Sequence, residues 1–382
     1  MHMLVQTASA ADATGTDATN PSRTLPSAPV PHRIPPAAIA LFGLALGITV
    51  LVAATLARRV TNDVFWQLAA GQWMLSHHAV MGLDPFSYTE SGHRWIADEW
   101  GSEVILAAFS RAFGVEAYNI LSVLTGSLCL VATTAYARAL GARGGRLAFI
   151  AFALSFGIAG FVTQDRGLSF SLIWLPVELL VLARARSRPA WLWALLPLCV
   201  LWVNTHGSIL VGLGVVAIEL AWSLAPRAWS ERLGAGAPSR HSGALGLATV
   251  GCVAASCLTP YGAHLLTYDL SVATNSQIGQ YIEEWQSPNF HSLTILAFVG
   301  IPVLILFLAL RRRRVAVLEL TLTVAFLLGT FHAIRFVIYL FIAAAGLWAS
   351  LPVRPTWSAL ARKVTGAVSI GLFLALVAVP SV

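Results

Sequence analysis

The stretch Thr61–Glu103, TNDVFWQLAAGQWMLSHHAVMGLDPFSYTESGHRWIADEWGSE, decides how this chain is read. It holds six of the chain's 17 acidic residues and three histidines, and it directly follows an apolar run from Pro36 to about Leu56. A polar island behind a first apolar segment is a natural seat of chemistry, and the rest of the sequence reads as its scaffold.

That scaffold is oily. Of 382 residues, 57% are apolar and only 11% charged, with a mean hydropathy of +0.74, far from soluble averages. Apolar runs repeatedly approach or exceed the roughly 20 residues that cross a hydrocarbon core. The formal charge is +7, but nearly all the basic residues are arginines in short loops between apolar runs. That is the pattern of membrane anchoring and excludes a nucleic-acid surface. Cys129, Cys199, Cys252 and Cys257 each fall in an apolar run without metal-ligand spacing and read as small buried hydrophobes.

The expected fold is an all-α polytopic membrane protein of about eleven transmembrane helices. After Pro36–Leu56 they fall near Ala117–Ala137, Leu147–Thr163, Leu168–Leu182, Trp191–Val203, Ser208–Leu224, Leu245–Leu258, Leu293–Leu310, Val317–Phe331, Phe336–Ser350 and Val364–Val379. Residues 1–34, rich in Ala, Thr, Ser and Pro, read as a disordered cytoplasmic tail. Residues 35–382 form the transmembrane domain, with residues 58–114 its first outer loop. On this count the arginine-rich loops (Arg138 to Arg146, Arg184 to Arg188, Arg227 to Arg240, Arg311 to Arg314) join the N-terminal tail on one side, which is therefore cytoplasmic. Asp63, Asp84, Glu99, Asp269, Glu284 and most histidines collect on the other, and the chain ends there after its last span. No internal repeat shows in span lengths or polar signatures, which weighs against an inverted-repeat transporter.

Trp191–Val203 would rise only about 20 Å, short of a core of about 30 Å. The turn Asn204-Thr205-His206-Gly207 should then lie at membrane depth, where irregular polar backbone is tolerated only against a cavity or protein. An outward-opening cavity floored by Asn204 and His206 and roofed by the opening loop follows. Within that loop, the spacing of Phe65, Trp66, Leu68, Ala69, Trp73 and Met74 predicts a helix from about Asn62 lying on the membrane surface by that apolar face. A second amphipathic helix is expected from about Ala97 to Phe113, with turns at Leu83–Ser87 and Glu90–Gly92. His77 and His78, adjacent on a helix, point about 100° apart and share no face for a metal. Glu178 and Glu219 fall mid-helix as buried acids that suit a proton-coupled carrier or a pairing across helices.

Asp63, Trp66, Gly71, the run Asp84 to Thr89, Gly92, Trp95, Glu99-Trp100, then Trp202 to Gly207, Pro260-Tyr261-Gly262, Glu284 to Pro288 and Arg335 resemble the signature of bacterial multi-spanning membrane proteins related to the C-type glycosyltransferase (GT-C) superfamily. The resemblance covers about Pro36 to Ser350 and implies a GT-C-like fold in the bacterial cytoplasmic membrane. It also implies a sugar transfer from a polyprenyl-phosphate donor to an acceptor on the outer face. That superfamily includes protein O-mannosyltransferases and oligosaccharyltransferases and places an essential acid in the first outer loop. Asp63 matches that position as catalytic base, although the paired acid usual there is replaced by Asn62 and Val64.

The transfer also needs positive charge at the departing phosphate. Arg335, where two spans meet, and Arg166 are the phosphate-binding candidates. Asn204, His206, Glu99, Glu103, Trp95, Trp100, Glu284 and Trp285 are candidates for binding substrate. No residue is assigned to a metal and no cofactor is required, though a divalent metal is compatible with the resemblance. Polyprenyl-phosphate sugar and membrane lipid are the expected partners, with no nucleic acid. The alternatives are a transporter or flippase for a lipid-linked or small polar substrate, and a non-catalytic membrane assembly protein that keeps the fold.

Overall fold

A computed structural model describes residues 35–56, 63–162, 168–226, 228–229, 241–311 and 316–352. The described residues form helices and turns, with one isolated antiparallel bridge, Leu83 to Arg94. The first helix, α1 (Pro36–Leu56), precedes a pair, α2 (Asp63–His77) and α3 (Trp100–Phe113). Then come α4 (Ala117–Ala139), α5 (Gly145–Val162), α6 (Leu168–Ala185), and α7 (Leu195–Val203) behind a 3₁₀ lead-in, Pro189–Ala194. The chain continues through α8 (Ile209–Leu224), α9 (Ser242–Ala255), α10 (His264–Ala273), α11 (Ser276–Tyr281), α12 (Leu293–Leu310), α13 (Val317–His332) and α14 (Val337–Ser350). Each of the first ten apolar segments is thus a helix, and the last, Val364–Val379, lies outside the described residues.

Packing explains the order. Helix α1 buries only Gly43, Gly47, Leu51 and Thr55, a four-residue repeat of small side chains that lets two helix backbones approach closely. A Cβ at Gly43 would collide with the Ala148 backbone of α5. The opposite face of α1 leaves Leu41, Phe42, Leu46 and Leu56 exposed. An apolar 21-residue helix only 17% buried over its most hydrophobic window is no core helix of a soluble protein. Exposed leucines, valines and phenylalanines on α4, α9, α12 and α13 extend this greasy exterior. The chain is a membrane protein. Among the described residues, α1 and α4 are by length and composition sufficient to cross a bilayer, and further apolar helical stretches of 10–17 residues follow. At the centre, α14 is buried almost throughout.

The loop arginines are not all surface anchors, and here the structure corrects the sequence reading. Arg186, just past α6, enters the bundle: its Nη1 lies 3.1 Å from Glu319 Oε1 and its Nε 3.5 Å from Glu219 Oε1. Tyr136 of α4 donates to the same Glu319 oxygen at 3.1 Å, and its ring lies where a Cβ on Gly346 would otherwise sit, 2.6 Å away. Glu219 is therefore paired, while Glu178, also buried, keeps its Oε2 without a hydrogen-bond partner among the described residues. Arg146 has a structural task too, donating to the carbonyls of Leu351 (3.0 Å) and Trp348 at the end of α14.

Removing Arg186 would leave two buried carboxylates facing each other. Loss of one partner from such a network costs about 3–5 kcal/mol. Arg186→Ala should accordingly lower the thermal unfolding midpoint of detergent-solubilised protein, and adding Glu219→Gln and Glu319→Gln should restore most of it. An unchanged midpoint in the single variant would show that the network holds nothing together.

Candidate active site

Helix α2 begins at Asp63, a carboxylate well placed in the first turn against the helix dipole; Asn62, the expected cap, lies outside the described residues. Helix α2 packs on α3 by a face that leaves out Phe65 and Trp66, two of the residues expected to meet the membrane surface. Helix α2 buries Val64, Gln67, Ala70, Gly71 and Met74, while Phe65 and Trp66 are 66% and 40% exposed. The reason is Gly71, where any Cβ would run into the Glu103 carbonyl of α3. Close backbone contact, unavailable to the bulky face, sets how the two helices meet. The second expected helix starts at Trp100, three residues later than its pattern suggested, because Ala97–Glu99 forms a turn closed by the Trp100 N–H donating to the Ala97 carbonyl (3.2 Å).

The connection between α2 and α3 is built as turns. Asp84 Oδ1 accepts from the backbone N–H of Phe86 (2.8 Å) and Ser87 (3.0 Å), and Oδ2 accepts from the Ser87 hydroxyl. These bonds, led by the hydroxyl, hold the Asp84 carboxyl below its ordinary range. Tyr261 then ties the segment down: its hydroxyl accepts from Ala97 N–H (3.0 Å) and donates to the Met81 carbonyl (2.8 Å). His77 stacks on Trp73 at 4.1 Å, and no group of three or more His, Cys, Asp or Glu among the described residues is placed to hold a metal ion. The metal compatible with the sequence pattern thus finds no ready donor set there.

The α2–α3 segment sits directly on the Asn204–Gly207 turn; the expected cavity does not separate them at this point. Trp100 Nε1 donates to Asn204 Oδ1 (2.8 Å), and Gly101 N–H to the Asn204 carbonyl (2.8 Å). A Cβ at Gly101 would strike that carbonyl. Asn204 Nδ2 is engaged as well, by the carbonyls of Val200 (2.7 Å) and Leu258 (2.9 Å), so Asn204 pins cover to floor.

Beside it, Glu99 Oε2 accepts from Gln67 Nε2 (2.9 Å) and Oε1 lies 3.1 Å from His206 Nε2. His206 Nδ1 accepts from Ser208 N–H at 2.9 Å, which places the ring proton on Nε2, donated to Glu99. A carboxylate fixed at both oxygens results. Asp63 lies one turn before Gln67, and residues four apart share a helix face. Both therefore belong to the side of α2 that reaches Glu99.

More acids gather behind this contact. Glu103, only 2% exposed, has its carboxyl pushed up to about 8 by burial and by the Asp98 charge. The same two causes raise Asp269 of α10 to about 7, and burial raises Asp98 to about 6. Asp269 also packs on the floor turn, since a Cβ at Gly207 would stand 2.7 Å from its Oδ1. Buried Glu103 faces this cluster and is withdrawn from the surface where it would meet a substrate hydroxyl.

Arg335, in a 3₁₀ turn between α13 and α14, forms a second group. Its guanidinium lies 4.0 Å over the Trp285 ring and 3.7 Å from Glu284 Oε1. Ile334 N–H donates to the Gln286 carbonyl at 2.9 Å, so two loops hold this arginine. Trp95 meets Trp66 edge-on at 6.1 Å. Arg166 and Asp165 lie outside the described residues.

Gln67, Tyr261 and Asp269 complete the site without having been singled out for it. Tyr261 stood in the Pro-Tyr-Gly motif, and Gly71, Gly101 and Gly207 marked close approaches, but no local pattern joins residues 32 to 164 positions apart.

No protein-family model matches the chain, and no curated protein matches it in sequence. Solved structures do. The archaeal oligosaccharyltransferase AglB from Archaeoglobus fulgidus, in complex with an inhibitory peptide and a dolichol-phosphate, superposes with a TM-score of 0.60 at 12% identity, over 89% of this chain and 54% of that one. Its apo form gives 0.60 at 12% identity, over 90% and 54%. The complex with Zn and sulfate gives 0.57 at 13%, over 90% and 51%. The chain shares its fold with the part of these proteins that it covers. It spans about half the length of the solved proteins it matches, and at such identity the likeness is one of fold.

Tyr261→Phe deletes both bonds of the tie and leaves the buried Ala97 N–H and Met81 carbonyl unsatisfied, a loss of about 1–3 kcal/mol. Amide hydrogen exchange across residues 81–113 should accelerate in that variant while exchange in α14 stays unchanged. Unaltered exchange in residues 81–113 would show that the tie is dispensable.

Proposed function

We propose that this protein is a membrane glycosyltransferase that moves a sugar from a polyprenyl-phosphate donor to a hydroxyl acceptor on the outer face of the bacterial cytoplasmic membrane. The GT-C-like fold, with an acid-bearing segment seated on a polar floor turn, carries the reading. Eleven spans, a cytoplasmic N-terminus and an extracytoplasmic site go with it, from the arginine-rich loops alternating with acid-rich ones.

In the reaction, Asp63 takes the proton of the acceptor hydroxyl as its oxygen bonds to the anomeric carbon. The bond from that carbon to the phosphate oxygen breaks, and polyprenyl phosphate leaves with the electron pair. Arg335 receives the growing negative charge, with Arg166 as a second cation. Trp285 holds the guanidinium plane, and Glu284, a loose 3.7 Å partner, yields to phosphate, for which a planar guanidinium is well matched. Glu99, steadied by Gln67 and His206, accepts hydrogen bonds from sugar or acceptor hydroxyls, and Trp95 and Trp100 flank it. Asn204 and Glu103 act by holding the cover in place.

Positioned general bases contribute about 10²–10⁴-fold. Asp63→Asn, produced at wild-type level in cells lacking the native gene, should reduce extracytoplasmic glycan addition by about 100-fold or more. Normal glycan with full expression would sink the transferase reading.

One observation favours a carrier: the buried Glu178 carboxyl with its unpartnered Oε2. Under that reading, proton-coupled flux in proteoliposomes is lost in Glu178→Gln, and absence of wild-type flux removes it.

A further inference from the structure

Asp98, Glu103 and Asp269 come from three separate pieces of the chain, the turn before α3, α3 itself and α10, yet the Asp98 charge acts on both of the others. None has an ion-pair partner among the described residues. Glu103 Oε2 and Asp269 Oδ2 are buried without hydrogen-bond partners there. The remaining polar groups around them offer little relief. Glu99 is a further carboxylate with His206 and Gln67 on its oxygens, and Tyr261 and Tyr268 present hydroxyls. Arg94, the cation that acts on Tyr261, is itself exposed. Such a cluster stays compact only while it keeps protons, because adjacent buried carboxylates cannot all ionise.

The cluster also lies at the joint that matters. Glu103 lies two residues past Gly101, whose backbone rests against the Asn204 carbonyl, and Asp269 presses on Gly207 of the floor. We propose that Asp98, Glu103 and Asp269 form a proton-operated latch, which keeps the α2–α3 segment shut on the Asn204–Gly207 turn and releases it as protons leave. A closed cover needs such a release, since the contacts through Asn204 and Glu99 shut off the floor. The sign follows from the direction of the shifts. Carboxyls raised in the closed state bind protons that the open state gives up, so closure weakens as pH rises from the ordinary carboxyl range. The weakening is complete above about 8, the highest of the three. The latch is independent of the transfer chemistry, and its failure would leave the proposed function standing.

The test is a distance between spin labels. Full-length protein in lipid nanodiscs carries Ala108→Cys on α3 and Ser271→Cys on α10, both exposed positions, with half-exposed Cys257 changed to Ser; the other three cysteines are buried. Pulsed electron–electron resonance should report one short distance at about pH 5 and a longer main population at about pH 9. In Asp98→Asn/Glu103→Gln/Asp269→Asn the short distance should persist at both. A wild-type distance unchanged with pH would overturn the latch, and so would a lengthening that survives in this neutral variant.

Discussion

The seating of Glu99 and Gly101 on the Asn204–Gly207 turn is the contact on which the rest of the site depends. It joins residues over 100 positions apart through the close approach of Gly101 to the Asn204 carbonyl, the Trp100–Asn204 hydrogen bond and a carboxylate–imidazole bond. Three glycines make it geometrically feasible: Gly71 admits α3, Gly101 admits the Asn204 carbonyl, and Gly207 admits Asp269. With those approaches in place, Gln67 and His206 reach both oxygens of Glu99, and Asp63 is carried along on the same face of α2. The polar island that opens the chain is therefore half of a joint, completed by a short helix that ends early.

The two polar regions of the bundle obey opposite electrostatic rules. On the arginine-rich side, Arg186 neutralises Glu219 and Glu319, and a tyrosine completes the network. Such a network ties α4, the end of α6, α8 and α13 into one register, since a lone charge at any of these positions is costly. Under the cover, Asp98, Glu103 and Asp269 have no comparable cation, and protons take its place. The first arrangement is static, whereas the second depends on pH. A stiff base beneath a cover that can be released suits the proposed transfer, whose lipid-linked donor would enter sideways from a membrane.

Much of the helical framework was legible because hydropathy is written locally: every apolar run from Pro36 to Ser350 became a helix within a few residues of its expected ends. The short run before Asn204 and the turn at Asp84 were readable for the same reason. Three things were not. The face by which α2 docks on α3 was not foreseen, because Gly71 carries no weight in a hydrophobic count while glycine decides how near a backbone can come. Arg186 looked like its neighbours Arg184 and Arg188, and only the bundle supplies the two glutamates that draw it in. The acid cluster needs α10 beside α3, a juxtaposition set by the packing of many helices. Asp63 and Arg335 entered through family resemblance, and their roles rest on the proposed chemistry.

The account's central claim is that lipid-linked sugar is handled between the α2–α3 cover, the Asn204–Gly207 floor and Arg335. A structure with a polyprenyl-phosphate sugar bound tests it most directly. The account predicts the phosphate on the Arg335 guanidinium, with Glu284 displaced, and the sugar beside Glu99 within reach of Asp63. A phosphate bound away from Arg335, or a sugar on the far side of the cover from Asp63, would contradict it.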